Sequence, residues 1–264
     1  MGGIGKSTLI KELDALGGVL PKVADLSSIH HRTLNVRKGR AVQGNRQQMD
    51  RDAYQRHMRE ELRAHAHLHV EEAVVEELQA AGGRFEGVVV RVAGERAVRR
   101  AAACVLTTGT FLNGRIRIGE EVHAGGRSCR QGGAWEGGGN IGGVFAGNDI
   151  RKLRLRTGTP PRLLRESIDF SAMEEQPSEA FSNPFHLLHR KTISGMRMSN
   201  VSCFLSHTNE RTARIVQKHR HLLPDYKDAA PPRYCPSIDA KYLRFADRSE
   251  HQIWFEPEGI SSSS

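Results

Sequence analysis

The stretch "MGGIGKST" (residues 1–8) sets Gly5-Lys6-Ser7 at the head of an apolar-periodic run, and its reading decides the fold. A phosphate-binding P-loop needs a further glycine five residues before Gly5, a place that falls before Met1, and a strand feeding the loop so that backbone N–H groups converge on a phosphate. Neither is in this sequence, so the alternative is a glycine-rich turn opening a helix in another dinucleotide-binding fold. The spacing predicts that helix over Thr8 to Leu16, with Leu9, Ile10, Leu13 and Leu16 on one face and Gly17-Gly18 as its stop.

Working outward, the 264 residues suffice for one large or two modest domains, and 38% hydrophobic residues can supply a core. No apolar run approaches the roughly 20 residues that span a bilayer, and no cleavable signal pattern precedes the first helix. Lys and Arg number 39 against 30 Asp and Glu, a net charge of +9. That excess favours an anionic partner, nucleic acid or a phosphorylated cofactor, as much as a solvated basic surface. Cys104, Cys129, Cys203 and Cys235 are widely spaced without a C-x-x-C pair, which argues against a zinc site or a disulfide scaffold and fits a reducing compartment.

Along the chain, "SSIHHRTLNVRKGRAVQGNRQQMD" reads as a polar, basic segment. A helix follows from about Asp50 to His65, N-capped by Asp50, with Tyr54, Met58 and Leu62 as its stripe; Arg51, Arg56, Arg59 and Arg63 form either a solvated face or a polyanion contact. Val70 to Thr107 reads as an antiparallel meander ending in a core strand, "ACVLTTGTF". From Gly125 to Gly147 the chain is glycine-rich; Gly137, Gly139 and Gly142 match G-x-G-x-x-G, but without flanking strand and helix a loop is the better reading. Pro160-Pro161 impose an extended turn. A less regular region runs from Phe170 to Trp254, and "SSSS" is a tail.

Chemistry-bearing candidates are few. Thr108-Gly109 ends the expected strand with small residues that allow close approach to a ligand, or make an ordinary turn. Cys235 sits near Arg233, Lys241 and Arg244, cations that favour the thiolate and hence a nucleophile, although a lone cysteine also serves as a small buried hydrophobe. His65, His67 and His69 alternate, the spacing of a metal face on a strand or of a solvated junction. "RTARIVQKHRH" suits phosphate contact or an exposed helix.

Taken together and in order, "GGIGKSTLIKELDALGG" (2–18), "LNVRKGRAV" (34–42), "VLTTGTFLNG" (105–114), "RTGTPPR" (156–162), "HTNERT" (207–212) and "RYCPSIDAKYLRFADRSEHQIWFEPEG" (233–259) resemble the MnmG/GidA family. This is the large FAD-containing subunit of the enzyme that installs a carboxymethylaminomethyl group on tRNA wobble uridine. "RKGRAVQGN" and "LTTGTF" resemble its mitochondrial branch, with a bacterial cytoplasmic origin as the alternative.

The resemblance implies an α/β fold: a partial Rossmann-like FAD-binding domain over residues 1–165, lacking the N-terminal G-x-G-x-x-G unit and carrying the meander at about 70–107. Part of the NADH-binding insertion and the return to the FAD domain would follow over 166–260, and a tail over 261–264. It implies FAD, NADH and a folate one-carbon donor as cofactors, and tRNA and a GTPase subunit as partners, with the full-length family homodimeric. No membrane or metal is implied. It places Cys235 as nucleophile or proton-relay thiol, Gly2, Gly3, Gly5 and Lys6 beside the flavin ring, and Val75 beside the flavin adenine. Thr108 and Gly109 form a second flavin-side turn, and Arg233, Tyr234, Pro236, Ser237, Lys241 and Arg244 lie in the nicotinamide segment. Arg40, Pro231 and Asp239 depart from the family's usual residues, and Cys129 to Asn148 lacks its Pro-Pro-Ser sequence. With segments missing at both ends, the alternative expectation is an inactive remnant that binds RNA or a partner protein; a folate-dependent tRNA uracil methyltransferase is a third.

Overall fold

The computed structural model describes residues 1–109, 111–125, 127–128, 135–136, 158–181, 183–189, 201–223, 237–248 and 250–261. It divides into two compact units, one of Met1–Leu68, Thr157–Lys218 and Cys235–Ser264, the other of His69–Arg156 and His219–Tyr234.

The first unit begins with α1 (Ile4–Ala15), four residues ahead of the expected start, so Gly5 and Lys6 lie inside the helix. Its buried contacts are Ser7 and Ile10, while Leu9 and Leu16 are exposed, so the leucine face does not enter the core. The short helix α2 (Leu20–Leu26) carries Pro21 in its first turn, where the missing N–H costs nothing. Ile10, Ala24 and Phe185 form the core between them, with Met1, Leu20, Met49 and Tyr54 packed around it.

The polar, basic segment folds as an antiparallel pair, β1 (Ser28–Leu34) and β2 (Gly44–Met49). Ser28, His30, His31, Asn45 and Gln47 are buried despite their polarity. Partners distant in sequence satisfy several of these side chains: Gln47 Nε2 donates to Asp25 Oδ1 at 3.0 Å, Asn45 Nδ2 to the Asn183 carbonyl, and His30 Nε2 meets the Gln176 carbonyl at 3.2 Å. The strand backbone is held likewise: the His31 N–H donates to Ser178 Oγ at 3.0 Å, the Thr33 N–H to Glu179 Oε2 at 2.8 Å, and the Glu179 N–H to the His31 carbonyl at 2.9 Å. The helix α3 (Arg51–Arg63) follows the expectation. Asp50 caps it by accepting from the Ala53 N–H at 2.8 Å, and it also accepts from the Ile260 N–H at 2.9 Å. These two backbone bonds hold the Asp50 carboxyl below its usual range.

His31 is wholly buried and neither ring nitrogen has a hydrogen-bond partner among the described residues. Burial pushes its pKa down, as it does for His30 and His251. The unfolded chain therefore binds more protons between these lowered values and the ordinary histidine pKa near 6.5, so stability is full above about 6.5 and falls as the pH drops through the folded values. Urea unfolding at about pH 7.5 and about pH 5.5 is expected to show this loss, and His31→Gln to show a smaller one. Equal losses in the two proteins would remove His31 from the account.

In the second unit the meander is β3 (Val74–Ala81), β4 (Arg84–Val92) and β5 (Glu95–Arg100). Two-residue turns join the strands: Gly82-Gly83 and Ala93-Gly94 all have positive φ, the geometry whose twist matches a hairpin. The expected strand over "ACVLTTGTF" is a correction. β5 ends at Arg100, and Ala101 to Thr107 are non-strand and exposed, Val105 to 84%. A short apolar run becomes a strand only where a neighbour offers its backbone, and none of the described residues does so there. The hairpin β6 (Arg115–Ile118) and β7 (Glu121–Ala124) follows, then a two-residue ladder of β8 (Arg127–Ser128) with β9 (Trp135–Glu136) inside the stretch expected to be loop. The glycine triplet 137, 139 and 142 lies outside the described residues.

The first unit closes with a sheet of β10 (Glu174–Gln176), β11 (Cys203–His207) and β12 (Gln252–Phe255) in that order, with helices α4 (Glu210–Lys218) and α5 (Ile238–Arg244). Every described strand pair is antiparallel, and the protein is of the α/β class. No described helix is long and apolar enough to cross a membrane.

Candidate functional site

The head of α1 is pressed onto β2 by glycines. Gly2 bridges to Arg46, and the Gly3 N–H donates to the Asn45 carbonyl at 2.9 Å. With φ +98, a Cβ on Gly2 would lie 2.2 Å from the Asn45 oxygen, so its close approach is to this strand. A Cβ on Gly44 would come within 2.9 Å of both Ile4 Cα and Ser7 Oγ. Gly3, by contrast, faces open space at φ +106 and caps α1 with no side-chain hydrogen bond. The N–H groups of Ile4, Gly5 and Lys6 begin the helix without intrahelical acceptors, and Lys6 is exposed beside them.

Alongside runs a cleft of about 460 Å³ between α1 and β2, lined among others by Ser7, Lys11, Glu12, Arg40, Gln43 and Asn45. Its wall is a hydrogen-bonded ladder. Lys11 Nζ donates to Asn183 Oδ1 at 3.2 Å, Asn183 Nδ2 to Asn45 Oδ1 at 3.1 Å, and Asn45 Nδ2 to the Asn183 carbonyl.

The segment 183–189 that supplies Asn183 is held from below by two aspartates. Asp25 Oδ1 accepts from the Phe185 N–H at 2.9 Å and from Gln47 Nε2 at 3.0 Å, while Oδ2 accepts from the His186 N–H at 2.8 Å and pairs with His189 Nδ1 at 3.2 Å. Asp14 takes His186 Nδ1 at 2.5 Å and the Leu187 N–H at 2.9 Å. No sequence signal marked Asp14, Asp25 or Asn183, because a carboxylate that organises a distant loop has no local pattern.

The "FEPEG" motif ties three further segments together. Glu258 pairs with Arg162 at 2.8 Å and with Arg51 at 3.7 Å, its carbonyl accepts from the Arg51 N–H at 3.1 Å, and Glu256 pairs with Arg46. Arg162 of "RTGTPPR" and Arg51 at the start of α3 thereby share Glu258, while Glu256 reaches the middle of β2. On α5, Lys241 Nζ donates to the Gln252 carbonyl at 2.9 Å, and Tyr242 Oη donates to Thr208 Oγ1 at 2.7 Å, which also accepts from the His251 N–H at 2.9 Å. A Cβ on Gly158 would stand 3.5 Å from Ser237 Cβ, so the "TGTPPR" and "PSIDAKY" motifs are neighbours.

Of the expected site residues, Gly2, Gly3, Gly5 and Lys6 gather at the head of α1, and Ser237, Lys241 and Arg244 sit at or on α5, all in the first unit. Val75 is half-buried in β3 opposite Val90, and Thr108 and Gly109 form a turn closed by the Phe111 N–H on the Thr108 carbonyl at 3.0 Å; these belong to the second unit. Cys235, Arg233, Tyr234 and Pro236 lie outside the described residues. Among the described residues no cluster of three or more His, Cys, Asp or Glu could hold a metal ion.

These features define a mixed α/β protein with antiparallel sheets and a polar cleft framed by backbone at a glycine-built helix head. The chain belongs to the family described as glucose inhibited division protein A, which matches it over residues 1–264. Two solved structures of GidA from Aquifex aeolicus are similar to it. The form I crystal superimposes with a TM-score of 0.83 at 32% identity, over 99% of this chain and 43% of that one; the form II crystal gives 0.82 at 32%, over 99% and 41%. The chain thus spans less than half the length of these relatives.

Proposed function

We propose that the protein acts in flavin-dependent tRNA modification: the installation of a carboxymethylaminomethyl group at C5 of the wobble uridine, with NADH as reductant, a folate one-carbon donor and a GTPase partner. Family membership over residues 1–264 carries this reading. The charge of +9 suits an RNA substrate. We place the activity in the mitochondrion, with the bacterial cytoplasm as the alternative, and expect a homodimer.

The residues at the head of α1 fit a flavin edge. Gly3 leaves open space where a side chain would stand, and the uncapped first turn with Lys6 offers donors and positive potential to the ring's carbonyl oxygens and to the negative charge it gains on reduction. The flavin, when bound, supplies the redox chemistry. Lys6 and the first-turn N–H groups would orient it, the Asn45–Asn183 ladder would keep the adjoining wall rigid, and the glutamate hub would hold "RTGTPPR" against α5. Cys235 would act on the uracil ring as nucleophile or as a proton-relay thiol.

The test has two readouts. The purified protein should be yellow, with flavin absorbance. Cys235→Ser should retain that flavin and abolish formation of the modified uridine in tRNA. A colourless protein would replace this reading with that of an RNA- or partner-binding protein without redox chemistry, and full modification by Cys235→Ser would remove the cysteine from the mechanism.

A further inference from the structure

Several arginines of the described structure pair with acids. Arg91 and Arg96 share Glu76, Arg99 takes Glu71, Arg32 takes Glu179, and Arg46, Arg51 and Arg162 use Glu256 and Glu258. Others have no acidic partner among the described residues, and the loop at 35–43 gathers two of them beside a lysine. It carries Arg37, Lys38 and Arg40 within four positions, all exposed, and none pairs with an acid among the described residues. Crowding like charges without counter-charge disfavours the folded loop, so a flexible strand would be expected there.

The loop is instead tightly built. Asn35 Nδ2 donates to the Val42 carbonyl at 3.2 Å and Gln43 Nε2 to the Val36 carbonyl at 3.3 Å, two reciprocal bonds that fasten its ends. Asn35 takes the left-handed conformation at φ 58, and short 3-10 turns fill the interior. The sequence thus holds three cations in place.

Arg40 and Lys11 both line the cleft described above. Glu12 lines it too, and its carboxylate disfavours a phosphate inside. The arrangement therefore suits a ligand with its phosphates along the loop and an uncharged part in the cleft. The volume of about 460 Å³ accepts a nucleoside.

We propose that the loop at 35–43 and the adjoining cleft form a docking surface for a single-stranded RNA segment, with Arg37, Lys38 and Arg40 on successive phosphates and one unstacked nucleoside in the cleft. This deepens the reading of an RNA-modifying protein and rests on it for the choice of RNA.

The test is binding of a short fluorescent RNA hairpin, with a uridine in its loop, across a salt series. The neutral triple variant Arg37→Gln/Lys38→Gln/Arg40→Gln is expected to bind at least about tenfold more weakly at low salt and to lower the slope of log K against log salt by about 2. The charge-keeping triple Arg37→Lys/Lys38→Arg/Arg40→Lys should retain the wild-type slope. A neutral variant with wild-type affinity and slope overturns the proposal. So does a control triple on the exposed face of α4, Arg211→Gln/Arg214→Gln/Lys218→Gln, that lowers the slope as much. Flavin absorbance of the same preparations separates the two readings. A colourless protein that binds RNA through the loop defeats only the flavin reading, and a yellow protein whose slope ignores the loop defeats only this one.

Discussion

Asp25→Ala is expected to destabilise the first unit by about 4 kcal/mol, a large share of the roughly 5–15 kcal/mol that holds a domain folded. Asp25 is 1% exposed, and its two oxygens serve the Phe185 and His186 N–H groups, the Gln47 amide and the His189 ring. Removal leaves those donors buried without an acceptor, and each unsatisfied group costs about 1–3 kcal/mol. Asp25→Asn keeps the shape but turns an amide N–H₂ toward a donor, so it should recover less than half the loss. Urea unfolding measures both. An alanine variant within about 1 kcal/mol of wild type would show that the 183–189 segment finds other partners.

Phe185→Ala follows closely, at about 3–5 kcal/mol, because the ring is 2% exposed and fills the gap between Ile10 and Ala24. Phe185→Leu should cost less than about 1.5 kcal/mol, since most of the volume is kept. The ring also lies under the helix head: its Cζ is 3.1 Å from where a Cβ on Gly2 would stand. Loss of the ring should therefore loosen the Gly2–Asn45 contact and the cleft beside it. Asp25 and Phe185 fasten the same turn, so the double variant should fall short of the sum of the singles. Strict additivity in equilibrium unfolding would mean that the carboxylate and the ring act on separate parts of the unit.

The elements with local causes were legible. Asp50 before Tyr54, Met58 and Leu62 marked α3, because cap and stripe act within a few turns of one helix. The meander expected over Val70 to Thr107 contains β3, β4 and β5, whose two-residue turns the structure places at Gly82-Gly83 and Ala93-Gly94. The motifs that carry the family resemblance were likewise visible as strings, among them "GGIGK", "RTGTPPR" and "SIDAKYLRF", and the family match covers them all.

What the strings could not show was their partners. "SSIHHRT" and "GNRQQM" gave no strand signal because buried polar strands are stable only when Asp25, Ser178 and Glu179 are at hand, and Ser178 stands 147 residues from His31. "ACVLTT" looked like a strand because apolar composition says nothing about whether a neighbouring edge is present. The Glu258 hub and the Asn45–Asn183 ladder were equally invisible, since each side chain is ordinary until the fold brings its counterpart within hydrogen-bond reach. Local propensity, capping and turn chemistry, together with motif order, were determined by the sequence itself. Which polar groups are buried, and which charges are paired, was decided only by tertiary structure, because desolvation and pairing depend on groups far apart along the chain.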